Sequence, residues 1–179
     1  MKSLIKATMV SALLLLAGAA AAQPPLTDTD QAQIRKEVLA AISDYYRLFA
    51  EEDMDAMPRE VFFLPVQIMH PGGIEVHSTD AAMINRSREH LEQLKATGWA
   101  YSEYHDPRIC VLNRSTAIAS GRVIRKAEDG TPVPEGATTY VYTRTDNGWR
   151  IASFTGHGRN EIPPCQEGEP DVTFSPKKL

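Results

Sequence analysis

The spacing of apolar residues changes twice along the chain. Between about residues 29 and 51, Ile34, Val38, Ala41, Ile42, Tyr45, Leu48 and Phe49 recur every three or four positions, which puts them on one face of a helix. Thr27, Asp28, Thr29 and Asp30 precede it, and each offers a side-chain oxygen to the free N–H groups of a first turn. "EEDMDAMPREVFF" predicts a short second helix, with Asp53 and Asp55 as caps and Pro58 in its first turn. "FFLPVQIMH" is extended, "HPGG" is a turn, and "IEVH" is a short strand. Ser78, Thr79 and Asp80 then cap a helix over roughly 80–96, with Ala82, Ile84, His90, Leu91 and Leu94 as its apolar side.

From Trp99 onward the period falls to two. "WAYSEYHDP", "RICVLN", "STAIASGRVIRKA", "ATTYVYTRT" and "GWRIASFTGH" are rich in β-branched and aromatic residues, and turn signals at Asn113, "EDG" and "DNG" separate them. Helices first and strands after predict an α+β domain: a curved antiparallel sheet wrapped around N-terminal helices, a cone with an open mouth.

Composition adds a leader to this picture. "MKSLIK", the apolar run "MVSALLLLAGA" and the small residues ahead of Gln23 read as a secretory signal peptide over residues 1–22. The domain then covers 23–160, and 161–179 form an extended, proline-rich tail. Localisation is expected to be periplasmic or secreted. The leader holds two of the 19 Lys and Arg residues and none of the 23 acids, so the mature charge is about −6. An acidic chain without a basic cluster excludes nucleic acid, and no later stretch is apolar enough for a membrane. Cys110 and Cys165 allow a disulfide worth about 4 kcal/mol by loop closure, or a buried thiol beside a free one.

The helix ending "DYYRLFAEEDMDAM", the "HPGG" turn, the "STDAAMINR" helix and the hairpin "YVYTRTDNGWRI" resemble the nuclear-transport-factor-two-like superfamily. This superfamily includes ketosteroid isomerases and SnoaL-type polyketide cyclases. The resemblance spans about residues 30–157 and implies a cystatin-like cone, a homodimer and a cavity between helices and sheet. It implies fold far more than function, because such scaffolds host unrelated activities.

Two catalytic positions carry over from that resemblance. An oxyanion-hole tyrosine eight residues before the aspartate after the first helix falls on Tyr45, counted from Asp53. A general base just before a proline falls on His70, ahead of Pro71. An imidazole accepts protons near neutral pH, and a phenol donates to an oxyanion. The chain departs from the isomerases in replacing the basic carboxylate by histidine. It also offers Thr138 and Tyr140, with no acid, on the penultimate strand.

The last strand raises a separate question of facing. Strict alternation puts Trp149, Ile151, Ser153, Thr155 and His157 on one face and Arg150, Ala152 and Phe154 on the other. That face begins as core and turns polar, as a pocket mouth would, with His157 at the rim. The competing reading turns Ser153 and Thr155 to solvent. Phe49, Trp99 and Tyr142 complete the expected ligand-binding set. Arg122, among isoleucines, fits the outer face better than the cavity, where it would bind a carboxylate or phenolate. The histidines lack the close spacing of a zinc site, and no metal or cofactor is expected. The chain is therefore expected to bind a small apolar molecule, with cofactor-independent acid–base chemistry of the isomerase or dehydratase type as its sharper form. The alternative is a non-catalytic dimerisation or accessory domain; a hydrophobe carrier is a third reading.

Overall fold

The computed structural model describes residues 24–163 and Cys165. The expected leader, 1–22, and most of the expected tail lie outside the described residues. Helix α1 spans Asp28–Ala50. Thr27 is its N-cap, and a capping box closes with Asp30: the Thr27 hydroxyl accepts from Asp30 N–H while the Asp30 carboxylate accepts from Thr27 N–H. Helix α2 is the single turn Met57–Glu60, and Asp53 accepts from the Ala56 N–H just ahead of it. Strands β1 (Phe62–His70) and β2 (Gly73–His77) form a hairpin. Helix α3 covers Asp80–Lys95 and is capped by Thr79. Strands β3 (Tyr101–Asn113), β4 (Thr116–Lys126), β5 (Gly136–Thr145) and β6 (Gly148–His157) follow as a meander.

The six described strands lie in the order β2-β1-β6-β5-β4-β3. The expectation of a wholly antiparallel sheet needs one correction: β1 and β6 pair in parallel. The meander ends beside the strand that opened the sheet, and it arrives running the same way. The two expected strands "WAYSEYHDP" and "RICVLN" are one strand, β3, interrupted where the pairing shifts between His105 and Arg108. Asp106 takes a left-handed conformation there, φ 51°, and its carboxylate receives Arg122.

Helix α1 buries Ile34, Val38, Ile42, Leu48 and Phe49, as its spacing predicts. Each aliphatic side chain taken from water in this way contributes about 1.5–3 kcal/mol. The buried side of α3 differs from the expected set. Met83, Ser87, Leu91 and Leu94 are buried, while Ala82, Ile84 and His90 are only half-buried. Trp149 closes the narrow end, its indole N–H donating to Glu37 of α1 at 2.9 Å, with Arg144 over its ring.

Size matching decides how closely the sheet approaches the helix. On β4 the inward positions Ala117, Ala119 and Gly121 lie beside Tyr142, Tyr140 and Thr138 of β5. Small residues on one strand make room for phenol rings on the next. Gly121 is the extreme case, because the Tyr104 ring lies across it. A Cβ there would sit 2.6 Å from that ring and 2.9 Å from the His105 carbonyl oxygen.

The described tail is fastened to the sheet. Cys110 on β3 and Cys165 form a disulfide, Cα–Cα 5.3 Å. This decides between the two alternatives left open by the sequence.

Gly121→Ala is expected to destabilise the fold by about 1–3 kcal/mol, by overpacking against a ring and a backbone carbonyl. Urea denaturation measures it. In a Tyr104→Ala background the cost of Gly121→Ala should shrink; an unchanged cost would show that the ring is not what excludes the methyl group.

Candidate functional site

Between α1, α3 and the concave face of the sheet lies a cavity of about 380 Å³. That is within the range of small-molecule sites. Its apolar wall is an aromatic ring system centred on Tyr45. The Tyr45 ring centroid is 5.3 Å from Phe49, 5.7 Å from Tyr140 and 6.2 Å from Phe62. Phe154 continues the wall against Phe62 and Tyr140, and Trp99 packs edge-on to Phe49. Tilted and edge-to-face arrangements of this kind are favourable for aromatic pairs.

The tyrosine hydroxyls in this wall have distinct environments. Tyr46 and Tyr140 share a hydrogen bond of 3.0 Å, and Tyr104 donates to the Thr138 carbonyl at 3.1 Å. Tyr45 sits deep in the molecule, and the surface it keeps faces the cavity. Burial, then the neighbouring Tyr140, push its hydroxyl well above the ordinary phenol range, while Arg125 and Arg86 pull the other way. It stays protonated at every physiological pH and is a donor.

A polar arc completes the lining: His70, Glu75, Arg86, Ser87, His90 and Arg125. Glu75 on β2 is its hub. Arg86 donates to Glu75 Oε2 at 2.9 Å, His77 Nε2 lies 3.2 Å from the same oxygen, and His70 Nε2 lies 3.3 Å from Oε1. Arg86 first, and His77 after it, hold the Glu75 carboxyl below its usual range. His70 Nδ1 accepts the Gly72 N–H at 3.1 Å, inside the turn. The proton of the neutral ring is thereby assigned to Nε2, toward Glu75.

His90 faces the cavity from α3, with its ring edge-on to Phe49 at 5.8 Å. Burial, then the positive charges of Arg86 and Arg125, push its imidazole down to about 4. It is neutral at pH 7. Ser87, on the same helix, is 2% exposed, lines the cavity, and its hydroxyl has no partner among the described residues.

A profile of the family described as NTF2-like protein (DUF6841) matches residues 36–159. The chain belongs to this NTF2-like family. No curated protein matches it. Solved structures share the fold at low identity. One is an NTF2-like protein with a cystatin-like fold from Novosphingobium aromaticivorans, 19% identical, TM-score 0.60, covering 74% of this chain and 86% of that one. Another is an NTF2-like protein of unknown function from Shewanella oneidensis, 14% identical, TM-score 0.55, covering 69% and 98%. A third is the hexachlorocyclohexane dehydrochlorinase LinA-type3 from Novosphingobium barchaimii, 14% identical, TM-score 0.57, covering 84% and 99%. At these identities the likeness concerns the fold.

Within the NTF2-like frame, Tyr45, His70, Phe49 and Trp99 all line this cavity. Four other expected positions do not. Tyr142 is buried in the core beyond the cavity, its hydroxyl unpartnered among the described residues. Ser153, Thr155 and His157 lie on the outer face of the sheet. The reason is a bulge: Tyr142 pairs with Ile151 but Val141 pairs with Ser153, so Ala152 is an extra residue. Beyond it the alternation changes phase. Phe154 and Gly156 line the cavity, while His157 Nε2 meets Thr139 at 2.8 Å, and Thr139 meets Ser120 at 2.8 Å on the other face. Arg122 is outward as favoured, paired with Asp106.

The residues that the sequence reading missed include Glu75, Arg86, Ser87, Arg125 and, as cavity-facing groups, His90 and Phe154. Arg125 had a usable signal. On β4 it shares parity with Ala117, Ala119 and Val123, opposite to Arg122.

Because His90 is neutral in the fold and titrates near 6.5 when unfolded, the unfolded state binds the extra proton between those values. Stability is therefore expected to fall as pH drops from about 6.5 toward 4, by up to about 1.4 kcal/mol per unit. Urea midpoints measured across this window should show that slope, and His90→Gln should flatten it. An identical slope in the variant would assign the effect elsewhere.

Proposed function

We propose that this NTF2-like protein is exported and binds a small, largely apolar molecule in its aromatic cavity. The observation that carries the reading is the meeting of an aromatic wall with convergent polar groups in one cavity. The disulfide supports export, since such bonds persist in oxidising compartments. The fold-level likeness to a structure described as a dehydrochlorinase is in keeping with a small-molecule site on this scaffold.

The catalytic form of the reading keeps Tyr45 as donor to an oxygen of the ligand and His70 as base. Gly72 N–H occupies Nδ1, so His70 acts as a base once that turn hydrogen bond opens and frees the Nδ1 lone pair, while Nε2–H stays directed at Glu75, 3.3 Å away, whose carboxylate stabilises the imidazolium that forms. Arg86 keeps Glu75 ionised for that role. Binding is the primary function, and isomerase- or dehydratase-type proton transfer is the activity that such a pair would support.

A second reading, a homodimerising accessory domain, is favoured by exposed Ile74 (63%) and Val76 (56%) on β2, an edge strand of the described sheet. Sedimentation of the purified protein should give a dimer that Val76→Lys dissociates; a monomer at micromolar concentration would end that reading.

Native mass spectrometry of the purified protein is expected to show a bound small molecule that denaturation releases. Phe49→Trp, which fills the cavity, should abolish it. For the released molecule, Tyr45→Phe and His70→Ala should each lower turnover by about 10²-fold or more if chemistry occurs. Turnover surviving both changes would remove the acid–base assignment, and a cavity without any ligand affinity would remove the binding one.

A further inference from the structure

Two arginines line a cavity whose single lining carboxylate is already engaged. Glu75 Oε2 is shared by Arg86 and His77, and Oε1 faces His70. Arg125 has no carboxylate partner among the described residues; its Nη1 donates to the Pro134 carbonyl at 3.2 Å. Arg86 uses Nε on Glu75, and its terminal nitrogens make no hydrogen bond among the described residues. A guanidinium partly withdrawn from water without a counter-charge is costly, and an anion beside it offsets that cost.

We propose that the molecule held in the cavity is an apolar carboxylic acid, its carboxylate taken by Arg125 and Arg86 and its hydrocarbon or aromatic body by the ring wall around Tyr45. This rests on the binding reading above and specifies its ligand class. Ser87 supports it independently. Its hydroxyl is buried, unpartnered and on the cavity wall, one residue after Arg86 on α3, where a carboxylate oxygen would accept its proton. The fields of both arginines converge on Tyr45 and His90, so the positive potential fills the same space that the rings enclose. A guanidinium fork matches a planar carboxylate better than it matches any neutral group. With Glu75 ionised and His90 neutral, the two arginines leave the cavity with excess positive charge. The protein as a whole is acidic, net charge −4 over its full sequence, so this positive spot is local.

The test compares 2-naphthoate with 2-naphthamide, which share one ring system and differ in charge. Isothermal titration of the disulfide-bonded protein should find naphthoate bound about tenfold tighter or more. Arg125→Gln should remove most of that preference by weakening naphthoate far more than naphthamide, while Arg125→Lys retains part of it. Ser87→Ala should weaken naphthoate several-fold yet raise the thermal midpoint of the ligand-free protein, because it deletes an unsatisfied buried hydroxyl. Equal affinity for the two compounds, or a preference untouched by Arg125→Gln, overturns the acid assignment while leaving the cavity as a binding site. Binding of neither at millimolar concentration overturns both.

Discussion

Strand β6 places three residues, Ile151, Ala152 and Ser153, where β5 places two, Tyr142 and Val141. The extra residue sets the phase of the cavity wall. Before it, Trp149 and Ile151 pack toward α1 as core. After it, Phe154 and Gly156 face inward, so the wall continues with a phenyl ring and an open space rather than with hydroxyls and an imidazole. β1 adjusts in step, pairing Phe62 with Ile151 but Gln67 with Ser153. Bulges bend a sheet and increase its local twist, and this one sits where the sheet curves over the helix.

That curvature turns an otherwise ordinary core into a container. At the narrow end, Trp149 is buried and hydrogen-bonds Glu37. Toward the wide end, α1 presents Tyr45 to rings on β1 and β5 and Phe49 to His90 and Trp99, and a cavity remains among them. Small residues on β4 let the phenols of β5 lie inward without pushing α1 away. The container is thus a product of side-chain size on alternate strands, which also makes it rigid: interiors packed this tightly resist a methyl group at Gly121.

The electrostatics of the wide end follow from topology. The β1–β2 hairpin brings His70 and Glu75 together, α3 supplies Arg86, Ser87 and His90, and the end of β4 supplies Arg125. The hairpin and α3 follow one another in sequence, but the end of β4 lies about thirty residues beyond α3. Their meeting holds Glu75 ionised against Arg86, keeps His90 neutral at pH 7, and leaves one guanidinium without a carboxylate among the described residues. A cavity with an apolar body and a charged rim is the physical result, and it fits the NTF2-like scaffold without requiring any one chemistry of its relatives.

Local pattern determined the elements. The period of 3.6 and the caps fixed α1 and α3 within a residue or two, the period of two located the strands while dividing β3 into two, and the quoted motifs identified the fold, with Tyr45, Phe49, Trp99 and His70 in one cavity. The tertiary structure alone decided which way β6 faces beyond Ala152, that β1 and β6 run parallel, that Cys110 meets Cys165, and that Arg125 rather than Arg122 enters the cavity. The reason is one of range. Helical and strand periods are written in neighbouring residues, whereas a bulge, a long-range bridge and the convergence of charges from three elements depend on what the partner strand or helix offers across space.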